Sequence, residues 1–273
     1  MKAIASRENA AYKALAKLAA SAAERKRRAL SVIEGAHLVA ACLDAGHPVA
    51  QLFLGRRAAA TEEGARLLAR ARPGEAFELA DPLFDTVSGV ESPSGVLAVV
   101  PTPAGRAVPP GASLCLALED LQDPGNVGTL LRSAAAAGAG HVLLSPTCAF
   151  AWSPKVLRAG QGAHFALNIV EGADLAAFVA AFSGTTVALG GGARASLYET
   201  DLTGPVAFLV GNEGSGLSPE LGRAATVRAR IPMPGRAESL NAGVAGSIAL
   251  FEAVRQRGAK TVSLPFQRPS ADP

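Results

Sequence analysis

Between Pro101 and Ala112 the chain reads PTPAGRAVPPGA, with four prolines and two glycines in twelve residues. Proline lacks the backbone N–H that helices and inner strands need, so neither can run through this stretch. It divides the 273 residues into two folding units, each with a core of its own. The expected organisation is a domain at 1–102, a linker at 103–112, a second domain at 113–262 and a tail at 263–273. With 49% hydrophobic and 18% charged residues, the chain is apolar enough to fill two cores.

In the first unit, residues 8–29 read as one helix, with Ala11, Leu15, Leu18 and Ala22 recurring at three- and four-residue steps. An apolar helix from His37 to Ala45, a strand-like Val49–Leu54 and a helix around Thr61–Ala71 follow. A strand-like Val96–Val100 comes after the turn residues Ser92, Pro93, Ser94 and Gly95. The net charge of the chain is only +3, but residues 1–28 hold eight Lys/Arg against Glu8 and Glu24. Concentrated positive charge is what a polyanion would feel through phosphate neutralisation. A solvated helical face accounts for the same residues, so charge alone leaves the two readings open.

Beyond the linker, strand-like and helical segments alternate: Ser113–Leu118, Val127–Ala137, His141–Leu144, Ala166–Val170, Leu175–Phe182, Thr186–Leu189, Val206–Val210, Ala229–Ile231 and a long closing helix. That alternation predicts an α/β fold with a mostly parallel sheet covered on both faces. Ligands of such sheets bind at the C-terminal ends of strands, and three loops there stand apart. In the first, Leu118–Ala139, Pro124-Gly125 makes a turn, Asn126 is placed to cap the next helix, and Arg132 lies in its second turn. Free amides at that helix start suit an RNA phosphate, with Arg132 adding charge-assisted bonds, while a capped helix with a surface arginine fits equally.

The second loop lies in VAFLVGNEGSGL, residues 206–217, where Gly211, Gly214 and Gly216 permit close backbone approach and Asn212-Glu213 adds polar groups. Its glycine spacing matches neither the dinucleotide fingerprint nor the phosphate-cradling loop of nucleotide hydrolases. The third is RIPMPGRAESLNAGVA, residues 230–245. Its prolines stiffen the loop, Ser239 sits where a helix cap belongs, and Leu240, Val244, Ile248 and Phe251 give the closing helix an apolar face. No run approaches the ~18 apolar residues of a membrane span, and the N-terminus lacks a secretory-signal layout, which predicts a cytoplasmic protein. Cys42, Cys115, Cys148 and the four histidines form no cluster with metal-ligand spacing, so no metal is expected.

The segments DPGNVGTLLRSA, LVGNEGSGLSP and IPMPGRAESLNAGVAGSIALFEAVRQ closely resemble the three motifs of the SpoU (TrmH-like) branch of the SPOUT methyltransferases, in order and at sensible separations. The basic helix, SVIEGAHLVAACLDAG and ESPSGVLAVV resemble the ribosomal-protein-like (L30e-like) substrate-binding domain often fused ahead of these enzymes. The resemblance implies a small α/β domain followed by a parallel-sheet SPOUT domain whose C-terminal chain threads a trefoil knot. It also implies transfer of a methyl group from S-adenosylmethionine to a ribose 2′-hydroxyl of RNA, with ribosomal RNA favoured over transfer RNA, by a homodimer.

On this sequence the implied cofactor positions are Leu189, Gly190, Gly191, Val210, Gly211, Asn212, Ile231, Met233 and Leu240. The implied catalytic set is Asn126, Arg132, Glu213, Ser239 and Asn241, with Arg132 assigned in the family to help deprotonate the hydroxyl. A guanidinium is a poor base, so pinning a phosphate and stabilising developing alkoxide charge suit Arg132 better, with Glu213 or the phosphate taking the proton. Arg25, Lys26, Arg27, Arg28, Lys155 and Arg158 are the expected RNA contacts. Between motifs, SPKVLRAGQGAHF has Gly160-Gln161 where the family commonly has a serine and a variable residue, which bears on substrate identity. Base methylation by a SPOUT relative and RNA binding without catalysis are the alternatives, and neither demands the whole Asn126, Arg132, Ser239 and Asn241 set.

Overall fold

Leu114–Leu118 (LCLAL) and Val206–Val210 (VAFLV) are apolar at every position and buried throughout, so they offer no face to water. Such strands belong inside a sheet covered on both sides. The computed structural model, which describes residues 1–258, contains that sheet and a second one ahead of it. The expected tail at 263–273 lies outside the described residues.

The first domain runs β1 (Lys2–Ile4), α1 (Ala10–Ala20), α2 (Ala22–Arg28), β2 (Leu30–Glu34), α3 (Ala36–Asp44), β3 (Gln51–Gly55), α4 (Arg56–Ala59), α5 (Glu62–Ala71), β4 (Glu75–Leu79), α6 (Asp81–Val87) and β5 (Val96–Pro101). Its five strands form a mixed sheet in the order β1-β4-β3-β5-β2. The second domain runs β6 (Leu114–Leu118), α7 (Pro124–Ala136), β7 (His141–Leu144), α8 (Pro154–Gly160), β8 (Asn168–Glu171), α9 (Leu175–Ala181), β9 (Thr185–Leu189), β10 (Ala195–Ser196), β11 (Val206–Val210), α10 (Pro219–Ala224), β12 (Val227–Arg230) and α11 (Ala242–Gln256). Its seven strands are all parallel, in the order β10-β12-β9-β11-β6-β7-β8. Among the described residues no helix is long and apolar enough to cross a membrane, and no three His, Cys, Asp or Glu side chains gather as metal ligands.

The single helix expected over 8–29 is two helices. Ser21 is extended (φ −122°, ψ 115°), ends α1, and caps α2 by accepting from the Glu24 N–H. Arg25, expected to face RNA, is 5% exposed, and its guanidinium donates to the Leu18 and Ala19 carbonyls at 2.5 and 3.0 Å. Those are last-turn carbonyls that the break at Ser21 leaves open, so one terminal nitrogen of Arg25 caps α1 and the residue is turned inward, off the exposed face that carries Lys26, Arg27 and Arg28.

Residues 102–113 carry no helix or strand, yet they are pinned along the second domain. Arg106 and Asn168 exchange two hydrogen bonds at 2.8 and 2.9 Å, and the Ser183 N–H donates to the Pro110 carbonyl. Gly105 passes so near β8 that a Cβ there would lie 2.5 Å from the Ile169 carbonyl oxygen. The domains also touch directly. A Cβ on Gly162 (φ +91°) would lie 2.8 Å from the Ala41 Cβ of α3, and the His47 and Phe165 rings sit 5.3 Å apart.

Beside this interface His164 is almost fully buried against Trp152, with Nε2 2.8 Å from the Ala151 carbonyl and Nδ1 unpartnered among the described residues. Burial pushes its pKa down to about 4, against a slight upward pull from the Ala151 bond. The unfolded chain therefore takes up a proton near pH 6.5 that the folded chain refuses until about pH 4. Stability is full above that window and falls as the pH drops through it, at roughly 1 kcal/mol per pH unit. Guanidinium unfolding at pH 7 and pH 5 measures this, and His164→Gln is expected to lose most of the acid sensitivity.

Candidate active site

The C-terminal ends of β9, β11 and β12 lie side by side in the parallel sheet, and a cavity of about 150 Å³ opens there. All nine positions expected to hold a cofactor line it: Leu189, Gly190 and Gly191 after β9, Val210, Gly211 and Asn212 after β11, and Ile231, Met233 and Leu240 after β12. Glu213 and Ser239 line it too. Glu238, Gly216, Ala229, Ala242 and Ala245 complete the wall, and of these the sequence pointed only to Gly216, for close backbone approach. Glu238 had a signal, since it immediately precedes Ser239 in the third loop.

The second loop is held shut by its own backbone. Asn212 and Gly216 exchange N–H···O bonds at 3.0 and 2.9 Å, and Asn212 Oδ1 accepts from the Gly214 and Ser215 N–H groups. Asn212 Nδ2 reaches back to the Asp120 carbonyl at 2.8 Å, tying this loop to the first. Gly211 is obligatory: a Cβ there would lie 2.2 Å from both the Gly216 carbonyl carbon and the Leu217 nitrogen. A second tie runs from Ser218, whose N–H and Oγ both donate to the Glu119 carboxylate at 2.7 Å.

Asn126 is not the cap of α7. Asp123 takes that place, accepting from the Asn126 N–H at 2.8 Å, with Pro124 at the first helical position. The chain offers two good capping residues three apart, and the proline settles which one. Asn126 is thereby buried in the first turn, and its Nδ2 donates to Glu213 Oε1 at 2.9 Å, where the Asp123 N–H also arrives at 3.3 Å. Partial burial raises the Glu213 pKa, but the Asn126 amide and nearby backbone N–H groups outweigh it and hold the carboxyl below its usual range.

Ser239 is not a cap either. Asn241 starts α11, accepting from the Val244 N–H at 3.2 Å, which leaves Ser239 exposed on the cavity wall. Asn126 and Asn241 converge on Gly243, where a Cβ would stand 3.2 and 3.1 Å from their Oδ1 atoms. Arg132 is exposed, outside the cavity wall, and has no hydrogen-bond or ion-pair partner among the described residues. Of the apolar face expected on the closing helix, Leu240, Val244 and Phe251 are turned outward, 39%, 46% and 48% exposed, while Ile248 is half-buried against the core that Gly243, Gly246, Ala249 and Leu250 face.

Of the expected RNA contacts, Lys26, Arg27, Arg28 and Lys155 are exposed. Lys26 Nζ lies 4.8 Å from the Phe150 ring centre, Arg27 pairs with Glu24, and half-buried Arg158 stands 3.8 Å from Glu34.

Comparison with known proteins decides the lineage. The SpoU rRNA methylase family profile matches residues 113–251, and that of the MRM3-like substrate-binding domain matches residues 9–98. The chain belongs to the SpoU rRNA methylase family. One SpoU relative, the 23S rRNA (guanosine(2553)-2′-O)-methyltransferase RlmP of Bacillus subtilis, is 31% identical over 232 residues, 84% of this chain and 90% of that protein. The 23S rRNA (guanosine-2′-O-)-methyltransferase RlmB of Xylella fastidiosa is 41% identical over 150 residues, and that match spans 54% of this chain and 60% of the relative. The AdoMet-bound rRNA methyltransferase of Sinorhizobium meliloti superposes with a TM-score of 0.82 at 30% identity, over 93% of this chain and 97% of that one. The α/β architecture with a substrate-binding domain ahead of a SPOUT domain is thus the family's.

The SpoU loop geometry makes a direct prediction. Gly211→Ala forces the β11 loop open and is expected to destabilise the protein by about 1–3 kcal/mol in denaturant titrations. Gly214→Ala, whose Cβ would meet nothing nearer than 3.5 Å, is expected to stay within about 0.5 kcal/mol of wild type.

Proposed function

We propose that this chain transfers a methyl group from S-adenosylmethionine to a ribose 2′-hydroxyl of ribosomal RNA. The observation that carries the reading is the single cavity at the ends of β9, β11 and β12, which all nine expected cofactor positions line. Its walls suit the cofactor chemically. Leu189, Val210, Ile231, Met233 and Leu240 form an apolar slot for a flat base, and Gly190 and Gly191 leave open space beside their backbone, where a Cβ would meet nothing within 4 Å. When bound, S-adenosylmethionine supplies an electrophilic methyl group on a sulfonium.

The chain's own residues do the rest. Asn126 and Glu213 form a fixed pair beside the cavity, and Glu213, ionised at neutral pH and held below the usual carboxylate range, is an orienting group and a weak base. Ser239 offers a hydroxyl on the cavity wall, and Asn241 fixes the helix start next to it. Arg132, free of partners among the described residues, pins a phosphate of the RNA and stabilises charge developing on the ribose oxygen. Exposed Lys26, Arg27, Arg28 and Lys155 grip further phosphates. The outward stripe of Leu240, Val244 and Phe251 supports a homodimer, because pairing two copies removes this apolar surface from water. We place the activity in the cytoplasm, where ribosomes are assembled.

Incubation with tritiated S-adenosylmethionine and unmodified ribosomal RNA is expected to yield alkali-resistant dinucleotides, the mark of a methylated 2′-oxygen. Label confined to a base, label on transfer RNA alone, or no cofactor binding in calorimetry overturns the reading. Arg132→Ala is expected to lower kcat at least about a hundredfold with cofactor affinity retained. Phe251→Glu is expected to shift the mass measured by light scattering from two chains to one, and an unchanged mass refutes the proposed dimer face.

A further inference from the structure

A second, larger cavity lies between the domains, about 750 Å³, well inside the roughly 300–1,000 Å³ of small-ligand sites. Its first-domain wall is apolar along α1, with Tyr12, Ala16, Ala19 and Ala20, and continues to Leu97 of β5. Its second-domain wall is Pro124, Phe150 and the Ser153–Arg158 stretch. Pro124 opens the same helix turn that carries Asn126, so this cleft and the candidate active site share one structural element.

Buried Arg25 and half-buried Arg158 line the cleft, each with one buried guanidinium nitrogen unused. Arg25 is 5% exposed and spends one terminal nitrogen on the α1 carbonyls, while its Nε has no acceptor among the described residues. Arg158 Nη1 is likewise buried without a hydrogen bond, its nearest carboxylate oxygen being Glu34 Oε2 at 3.8 Å. Glu34 is already engaged, accepting from the Ser88 hydroxyl and the Gly89 N–H. Lys155 adds an exposed cation on the same wall, so the cleft holds three cations against one occupied anion. Buried N–H groups without acceptors are uncommon in folded proteins, and a ligand bearing oxygen or ring-nitrogen acceptors would satisfy both.

We propose that this cleft receives an unpaired nucleotide of the substrate RNA next to the one being methylated, with its base against Phe150 and the alanine wall and its acceptors facing Arg25 and Arg158. A base supplies a flat apolar face and an acceptor-bearing edge at once, which matches the two kinds of surface the cleft presents. Lys155 takes the phosphate of the same nucleotide. The proposal rests on the ribose-methylation reading only for its choice of RNA.

The test is 254-nm cross-linking of the full chain to an unmodified 23S rRNA transcript, with peptide mapping, alongside methylation kinetics on the same RNA. Cross-links are expected at Phe150 or in the Ser88–Gly89 segment. Phe150→Leu and Arg158→Gln are each expected to raise KM for the transcript by at least about fivefold, with kcat, melting temperature and S-adenosylmethionine affinity held near wild type. Bound RNA that cross-links only to other surfaces, or two folded variants with KM within twofold of wild type, overturns the cleft assignment while leaving methylation intact. Cleft cross-links without any methyl transfer uphold the nucleotide site and overturn the function proposed above.

Discussion

The approach of α11 to α7 is the contact on which the candidate site depends. Gly246 lets the helices close to a separation at which a Cβ would stand 2.4 Å from Leu130, and the Ser133 and Ser247 hydroxyls meet at 2.7 Å. Because α11 begins at Ala242 and α7 at Pro124, that packing brings the end of the third loop, at Asn241, beside the start of α7. Gly243 then sits between the Asn126 and Asn241 carboxamides. A larger residue at either glycine would push the helix starts apart and open the polar cluster between them. Small residues here are therefore a condition of the chemistry as well as of packing.

Polar bonds complete what packing begins. The β11 loop is tied to the β6 loop and the start of α7 through Asn212 to Asp120, Ser218 to Glu119, and Glu213 to both Asp123 and Asn126. Each tie joins residues about ninety positions apart, so the loops form one rigid mouth at adjacent strand ends instead of two independent flaps. The cost of ordering the loops is met at folding, which leaves less to lose when a ligand binds. The bonds that hold Glu213 also hold its pKa down, so its carboxylate is committed to geometry and poorly suited to carrying protons.

How far the sequence could be read depended on whether the determining contact was local. The buried strands of the parallel sheet were legible because two-sided burial makes them apolar throughout, as in LCLAL and VAFLV. β2, which follows directly on the helix expected over 8–29, went unread because its only separator from α2 is Ala29 in the left-handed region (φ 49°), which carries no turn signal. β1 and β4 pair along one edge of the first sheet, and EAFEL keeps two glutamates, so neither shows a strong apolar pattern. The nine positions that line the cavity were picked out through the motif resemblance, whereas the caps at Asp123 and Asn241 turned on which of two suitable residues the neighbouring backbone selects. The fate of Arg25 was invisible, since it follows from a helix break that one serine makes.

The joint between the domains shows why a proline-rich connection need not be a loose one. Proline and glycine exclude regular structure from residues 102–113, but they do not exclude packing, and Val108 lies among Phe178, Phe182 and Cys115 on the second domain. With Asn168 clamping Arg106, Gly162 against Ala41, and Trp152 and His164 buried beside them, the first domain has little freedom to swing. A rigid joint fixes the distance between the basic α2 surface and the loops at the sheet ends. On the proposed function, selection among RNAs then falls to shape: an RNA whose backbone cannot bridge that fixed span would not present a ribose to the candidate site, whatever its local sequence.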